Sequence, residues 1–308
     1  MSDFLVSRLG QTNGAGATDA LFLSQWSGEI LGAFNNAVVM MDKHQVRTIT
    51  KGKTASFPAI GKAVASYHTA GVELTGQVLN HANRDITVDD MLIADTFIDN
   101  WDEAVLHYDV RSEYNIQMSD ALAQAFDQNV LRMALLAARA TATVTGGSGG
   151  FVSTDADYKT VGADLAAGVY AHAQNYDEKF VPERERNCFV RPAQYYLLAQ
   201  TTAIINKDWN GDGSYADGKI SRIASIPIIK TNNLPITNIT TGPSKYQVNA
   251  STTAFVTMQK GAVGTVKLMD IALESEKSVR YQGTLSVAKM AVGHGILRPE
   301  AAGEGKTS

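Results

Sequence analysis

The stretch YNIQMSDALAQAFDQNVLRMALLA, residues 114–137, carries the clearest periodicity of the chain. Its apolar residues recur every three or four positions, as they do on one face of a helix, and they are Tyr114, Met118, Leu122, Phe126, Val130, Met133 and Ala137. At 1.5 Å per residue this stripe spans roughly 36 Å. Upstream, Asn100 and Glu103 have the spacing of a capping box that begins a helix. The sequence therefore predicts one long spine helix.

The composition is typical of a folded globular protein and argues against several classes. The chain has 308 residues, of which 44% are hydrophobic and 19% charged, and this length favours about two domains. A formal net charge of −4 argues against a protein that wraps nucleic acid. The single cysteine, Cys188, excludes an intrachain disulfide, and its run CFV predicts a buried strand position. Because the sequence has neither a signal-peptide pattern nor a membrane-length apolar run, we expect cytosol-like conditions.

Before the spine helix, the sequence predicts an arm and a projecting hairpin. Residues 10–17 form a flexible polar lead, and Thr18 or Asp19 can cap a helix. The apolar face of that helix belongs to a core or packs on another subunit, and its residues are Phe22, Trp26, Ile30, Phe34 and Val38. Residues 47–99 contain short strand-like runs on both sides of a long polar tip, residues 66–84. This tip has too little apolar periodicity to form a core, so we expect it to rest on a partner.

After the spine helix, four glycines in residues 146–150 predict a flexible break and a domain boundary. A second amphipathic helix follows, with apolar or buried positions at Val161, Leu165, Val169, His172 and Tyr176. NCFV predicts a strand, Pro192 the first turn of the next helix, and residues 219–230 one β run. From residue 254 the chain returns to strand-like runs. We therefore predict a mixed α+β fold of two domains, with the middle region as an insertion.

The motifs that suggest catalysis or phosphate binding lack their essential parts. His294 stands between two glycines, but no proton partner lies near it in sequence, and the chain has no G-x-S-x-G nucleophile turn. The runs GGSGG and GAVGTVK lack both the Walker pattern and the dinucleotide fingerprint. We therefore predict no catalytic residue and no cofactor, and interpret His294 as a packing residue at a tight backbone crossing.

The nearest approach to a metal site is DWNGDGSYADGK, residues 208–219. Asp208, Asn210 and Asp212 occupy the first, third and fifth positions of a calcium loop. Lys219 stands where the loop needs its bidentate glutamate, so a turn is the more frequent meaning of such a stretch. His107 and Asp109 have the residue types of an acid–base pair, but Asp109 is better explained as a helix cap or an ion-pair partner. The histidines of the chain do not have the spacing of zinc ligands. We predict no metal site.

Three blocks taken together resemble the major capsid protein of T7-like short-tailed phages: HYDVRSEYNIQMSDALAQ (107–124), AVGTVKLMDIALE (262–274) and AKMAVGHGILRPEAAG (288–303). Weaker similarity extends over residues 20–65. The resemblance implies an HK97-type capsid fold. Its parts would be an N-arm over 1–46, an E-loop hairpin with flanking strands over 47–99, a P-domain with the spine helix over 100–145, an A-domain over 146–253, and strands returning to the P-domain over 254–308.

The same resemblance implies how these parts act. The E-loop would lie over a neighbouring subunit, and GHGILRPEAAG would end the P-domain. The glycines of that stretch would allow close backbone approach, with Arg298 and Glu300 placed for salt bridges.

By this resemblance the chain is a structural protein, not an enzyme. It would self-assemble into hexamers and pentamers of an icosahedral head shell that encloses double-stranded DNA, in the host bacterial cytoplasm. The implied partners are further copies of the chain, a scaffolding protein, a portal protein at one vertex and packaged DNA contacted non-specifically, with no membrane. A cellular nanocompartment shell of the same fold stays an alternative. A hydrolase or calcium-binding module is the alternative from a different class, and it predicts a discrete monomer.

Overall fold

The computed structural model describes residues 38–74, 76–105, 110–201, 220 and 222–308. Within these ranges the chain forms four helices and fourteen strands, the mixed α+β class that was predicted. In chain order they are β1 Gln45–Thr48, β2 Thr54–Ile60, β3 His81–Thr87, β4 Leu92–Asp99, α1 Asn100–Val105, α2 Val110–Ala138, β5 Phe151–Thr154, α3 Gly162–Glu178, β6 Arg186–Val190, α4 Pro192–Ala199, β7 Arg222–Ile223, β8 Ile226–Lys230, β9 Asn238–Ile239, β10 Val248–Asn249, β11 Thr253–Gln259, β12 Val263–Ser278, β13 Gly283–Ile296 and β14 Ala302–Lys306. The predicted N-terminal helix lies outside these ranges except for Val38, which is exposed and not helical.

The predicted spine helix is confirmed as α2, whose 29 residues span roughly 44 Å. In the compact unit formed by residues 89–126 and 269–292, the first part of α2 packs on the antiparallel pair β4 and β13. The cluster at this contact consists of Met118, Leu122, Ala288, Met290 and Val292, with Leu92, Ala94 and Phe126 against its edge. The stripe that the sequence singles out is therefore a core stripe.

The second compact unit, formed by the described parts of residues 38–88, 127–268 and 293–308, is built on a six-stranded mixed sheet. Its strand order is β5-β14-β11-β6-β8-β7. The central strand β6 is buried along its whole length, which confirms the buried position predicted for Cys188. The predicted second amphipathic helix is α3, which buries Leu165, Val169, His172 and Tyr176. Val161, predicted as the first residue of its apolar face, instead precedes the helix and is exposed. Pro192 begins α4, as predicted.

Two local predictions are wrong in detail. Asp99, not Asn100, caps α1, because its carboxylate accepts the backbone N–H of Trp101 at 2.8 Å. The single β run predicted for residues 219–230 is a two-strand hairpin, β7 and β8, turned at Ala224 and Ser225. Both turn residues have positive φ, 48° and 62°, the geometry of a type I′ turn that sequences usually mark with Asn or Gly.

The glycines near residue 150 and at the chain's end serve close packing. A Cβ on Gly150 would collide with the carbonyl oxygens of Ala137 and Ala138, so this glycine packs on the end of α2 and is not simply a flexible linker. In the final stretch, a Cβ on Gly293 would collide with the Thr87 carbonyl, and one on Gly303 with the His172 ring. The predicted close backbone approach of the terminal glycines is confirmed.

Candidate assembly site

The base of the predicted projecting hairpin is held by its own side chains. Strands β2 and β3 pair antiparallel from Thr54 opposite Thr87 to Ile60 opposite His81. Phe57 on β2 is buried, and the guanidinium of Arg47 lies 4.6 Å from the centre of its ring. The hairpin therefore has a folded root that does not require a neighbouring copy.

The hairpin tip comprises residues 61–80, because β2 ends at Ile60 and β3 begins at His81. The predicted tip, residues 66–84, is therefore wrong at both ends, and residues 81–84 belong to a strand. The side-chain amide of Gln77 spans the tip, accepting the backbone N–H of Val64 at 3.0 Å and donating to its carbonyl at 2.7 Å. At its root, the N–H of Gly61 donates to the carbonyl of Asn80 at 2.8 Å. These hydrogen bonds keep the two arms of the tip together without a core.

The tip exposes a group of large apolar side chains to solvent. They are Val64, Tyr67, Val72, Leu74, Val78 and Leu79. Tyr67 and Val78 are 105% and 90% exposed, so they bury almost nothing within their own chain. A concentration of exposed apolar groups marks an interaction surface, because a soluble subunit gains nothing by leaving them in water. The tip is the candidate assembly contact.

The root of the tip is fixed to the rest of its subunit by polar contacts. The amide of Asn80 donates to the carbonyl of Thr145 at 3.0 Å, and the ammonium of Lys62 lies 3.8 Å from the centre of the Phe180 ring. Thr143, in the same loop as Thr145, donates its hydroxyl to the carbonyl of Leu297 at 2.9 Å. The loop after α2 thus orients the hairpin.

An ion pair with a buried carboxylate joins the loop after α2 to the C-terminal strand. The guanidinium of Arg139 donates two hydrogen bonds of 2.6 Å to the carboxylate of Glu304, which is fully buried and also accepts the Thr253 hydroxyl at 2.6 Å. This contact raises the pKa of Arg139 above its ordinary value, chiefly through the hydrogen bonds to Glu304. Arg298 is exposed and Glu300 half-buried, and the salt bridges predicted for them stay a prediction.

A second buried carboxylate, Asp127 on α2, fixes the segment before β1. It accepts the backbone N–H groups of Val39 and Met40 at 3.0 and 2.9 Å and the side-chain amide of Asn233 at 2.9 Å. Sequence analysis missed both Asp127 and Glu304. A signal existed for Asp127, because it directly follows Phe126 of the apolar stripe and so falls next to the buried face.

The buried histidines have the surroundings of packing residues. Nδ1 of His294 lies 2.7 Å from the Thr265 hydroxyl, and its backbone N–H donates to the Tyr246 hydroxyl at 3.2 Å. His172 lies between the hydroxyls of Ser153 and Thr257, at 2.8 and 2.6 Å. Burial lowers the pKa of His172 and that of His294 to about 3, so each ring is neutral at pH 7 and accepts a proton poorly.

Several predicted site residues cannot be compared with the structure. Asp208, Asn210, Asp212 and Lys219 of the calcium-like stretch lie outside the described residues, as do His107 and Asp109. Within the described ranges, no group of three or more His, Cys, Asp or Glu side chains is arranged to hold a metal ion. In the same ranges, no helix has both the length and the apolar character of a membrane span.

Known proteins resemble this chain over almost its whole length. The family described as "Gp10A-like: Major capsid protein" matches residues 56–306. The major capsid protein of Escherichia phage T7 is 30% identical, with 94% of this chain and 92% of that protein aligned. That of Enterobacteria phage T3 is also 30% identical, over 95% of this chain and 94% of the relative.

A solved structure carries the likeness into three dimensions. The structure titled "Capsid structure of the Cyanophage P-SCSP1u" superimposes with a TM-score of 0.86 at 40% identity, covering 100% of this chain and 99% of that one. The mature capsid of bacteriophage PhiM1 gives 0.80 at 17% identity, which supports the fold alone. Because the family model covers most of the chain and the phage relatives align over nearly their whole length, the chain belongs to the Gp10A-like major capsid proteins and is a shell-forming protein of a T7-like phage.

Proposed function

We propose that the chain self-assembles into hexamers and pentamers that close an icosahedral head shell around double-stranded DNA, and that the hairpin tip is a contact between copies. The exposed apolar tip is the observation that supports this most directly. Its side chains have no core of their own, and a neighbouring copy can bury them. Many such weak contacts, repeated by symmetry, add up to a stable closed shell.

The other partners follow from the capsid role. A scaffolding protein would guide the first shell, and a portal protein would replace one pentamer at a single vertex. The packaged DNA would be contacted without sequence preference, and the formal net charge of −4 suits a wall that does not hold its contents tightly. The role is structural and includes no reaction. Finding packaged DNA inside the shell, and not a cargo enzyme, would distinguish a phage head from a cellular nanocompartment.

The proposal is tested by shortening the hairpin. Residues 62–79 are replaced by a short Gly-containing turn that keeps the Gly61 to Asn80 hydrogen bond. Because the hairpin root has its own contacts, we expect near-normal circular dichroism and cooperative melting. Sedimentation and electron microscopy should find monomers or small capsomers where the wild type forms closed shells. Closed shells from the variant would remove the role given to the tip, and an unfolded variant would mean that the tip stabilises its own subunit.

A milder double variant tests whether the apolar side chains of the tip, and not its length, are needed for assembly. Tyr67→Ser combined with Val78→Ser removes two almost fully exposed side chains, so the subunit should melt as before. The concentration needed for shell formation should rise. Thr69→Ser, an exposed polar position in the same tip, serves as the control and should leave that concentration unchanged.

A further inference from the structure

An open pocket of about 350 Å³ lies at one edge of the six-stranded sheet. Strands β6 and β8 run parallel, so their carboxyl ends meet at the same edge. Arg191 directly follows β6, and Asn232 follows β8. Both line the pocket, together with Gln128 and Arg132 of α2. The pocket is therefore assembled from three separate elements of one compact unit.

The pocket contains two guanidinium groups that only neutral groups contact. Arg191 donates to the carbonyls of Asn232 and Leu234 at 2.6 and 2.7 Å. Arg132 donates to the side-chain oxygens of Asn129 and Gln128, at 3.1 and 3.4 Å. Within the described part of the chain, neither guanidinium forms an ion pair.

The guanidinium of Arg132 is also incompletely satisfied. Its Nε is buried, and no described group accepts its hydrogen. Burial lowers the pKa of Arg132 from its ordinary value, and no nearby carboxylate offsets this effect. An anion that entered the pocket would supply the missing acceptor and the missing charge.

The opposite edge of the same sheet carries exposed carboxylates among cations, since Glu183 also lines an adjoining pocket that contains Lys43, Arg184 and Lys260. At the amino ends of β6 and β8 lies an open groove lined by Asp177, Glu178, Glu183 and a single cation, Arg186. Arg186 already pairs with Asp177 at 2.7 Å, which leaves the exposed carboxylates of Glu178 and Glu183. Strand β6 has five residues, so the two edges are separated by roughly 17 Å of strand.

We propose that the pocket of Arg132 and Arg191 binds a carboxylate of a second copy of this chain, presented by the Glu178 and Glu183 edge of that copy. A ring of identical subunits needs two different, complementary faces on each subunit, and opposite edges of one sheet provide them. Arginine at a concave site suits a carboxylate, because the guanidinium can donate two parallel hydrogen bonds. Binding of a DNA backbone calls instead for an extended face of Lys and Arg. The inference rests on the proposed function, since it names a contact within the capsomer.

The test is an exchange of charges between the two edges. Arg132→Glu should raise the protein concentration needed for capsomer and shell formation at least about tenfold. Among the described residues Arg132 donates only to side chains of its own helix, but its Nε is buried, so thermal unfolding of the isolated subunit is measured in parallel to separate a folding defect from an assembly defect. The triple variant Arg132→Glu, Glu178→Arg, Glu183→Arg places a carboxylate opposite two guanidinium groups and should recover part of the assembly, because Arg191 keeps its positive charge in the pocket. Arg132→Lys keeps the positive charge and should assemble at close to the wild-type concentration.

The double variant Glu178→Arg, Glu183→Arg tests the other side of the contact and changes only exposed side chains, so the subunit should stay folded. It should lose assembly as Arg132→Glu does, and this result does not depend on how well Arg132→Glu folds. Wild-type assembly in either reversed variant, or no recovery in the triple variant, overturns the inference. Normal empty shells of Arg132→Glu that retain less DNA would also overturn it, in favour of a phosphate in the pocket. If the wild type itself forms no shells, the proposed function fails instead.

Discussion

Removing Arg139 should destabilise the subunit far more than the loss of an ordinary surface ion pair. Its side chain is 32% exposed, but that of its partner Glu304 is 0% exposed. Arg139→Ala deletes both 2.6 Å hydrogen bonds and leaves the Glu304 carboxylate, among the residues that the structure describes, with only the Thr253 hydroxyl. A buried carboxylate without its cation costs about 3–5 kcal/mol, whereas an exposed pair contributes about 0–1 kcal/mol. We therefore expect Arg139→Ala to lower the free energy of unfolding by about 3–5 kcal/mol.

The measurement is urea unfolding of the unassembled subunit at low protein concentration, because assembly would add its own stabilisation. Arg139→Lys keeps the charge but loses the paired geometry, so its loss should be intermediate. Adding Glu304→Gln to Arg139→Ala removes the stranded charge and should recover part of the stability, which a double-mutant cycle quantifies. A loss below about 1 kcal/mol for Arg139→Ala would refute the reasoning, since it would mean that water reaches the carboxylate.

Three further outcomes are expected. Leu122→Ala, at a core position of α2 that is 2% exposed, should cost about 2–5 kcal/mol in urea unfolding. Ile116→Ala, on the same helix but 51% exposed, should cost less than about 1 kcal/mol. Because the folded-state pKa values of His172 and His294 lie near 3, below the unfolded value of about 6.5, the unfolded state binds more protons in between. Stability should therefore be lost as the pH falls through this window, by about 1.4 kcal/mol per pH unit for each histidine, and His172→Gln should remove one such contribution from unfolding curves measured between pH 4 and 7. If residues 208–219 are only a turn, a chelator should leave the melting temperature unchanged, and a calcium-dependent rise would restore the metal interpretation.

The long elements could be predicted because their periodicity is dense and local. Helices α2 and α3 each repeat apolar residues over several turns, and that pattern alone identifies the buried face. The type I′ turn at Ala224 and Ser225 could not be predicted, because neither residue favours positive φ. Here the pairing of β7 with β8 and the burial of Ile223 and Ile226 outweigh the local preference.

The candidate assembly site could be predicted only in part: the sequence indicates that a projection exists, but not where it begins and ends. The lack of periodicity around residues 66–84 predicted a projection, and the exposed tip agrees with that interpretation. The ends of the tip depend on how far β2 and β3 pair, which the sequence does not encode locally. The pair of Arg139 and Glu304 joins residues 165 positions apart, and no local pattern connects such residues.

The contacts that fold the subunit differ in chemistry from the exposed groups available to join copies, and this difference suits reversible assembly. Inside, charged groups such as Asp127 and Glu304 are buried with specific donors, and breaking those contacts should destabilise the subunit. Outside, the tip exposes apolar side chains that a second copy would bury, as proposed, and each such contact contributes little free energy on its own. A shell needs contacts that are individually weak, since an incorrectly placed subunit must be able to leave before the shell closes. It also needs subunits that stay folded while they dissociate and rebind. A chain that folds by strong buried contacts and, as proposed, joins other copies through weak exposed ones meets both requirements.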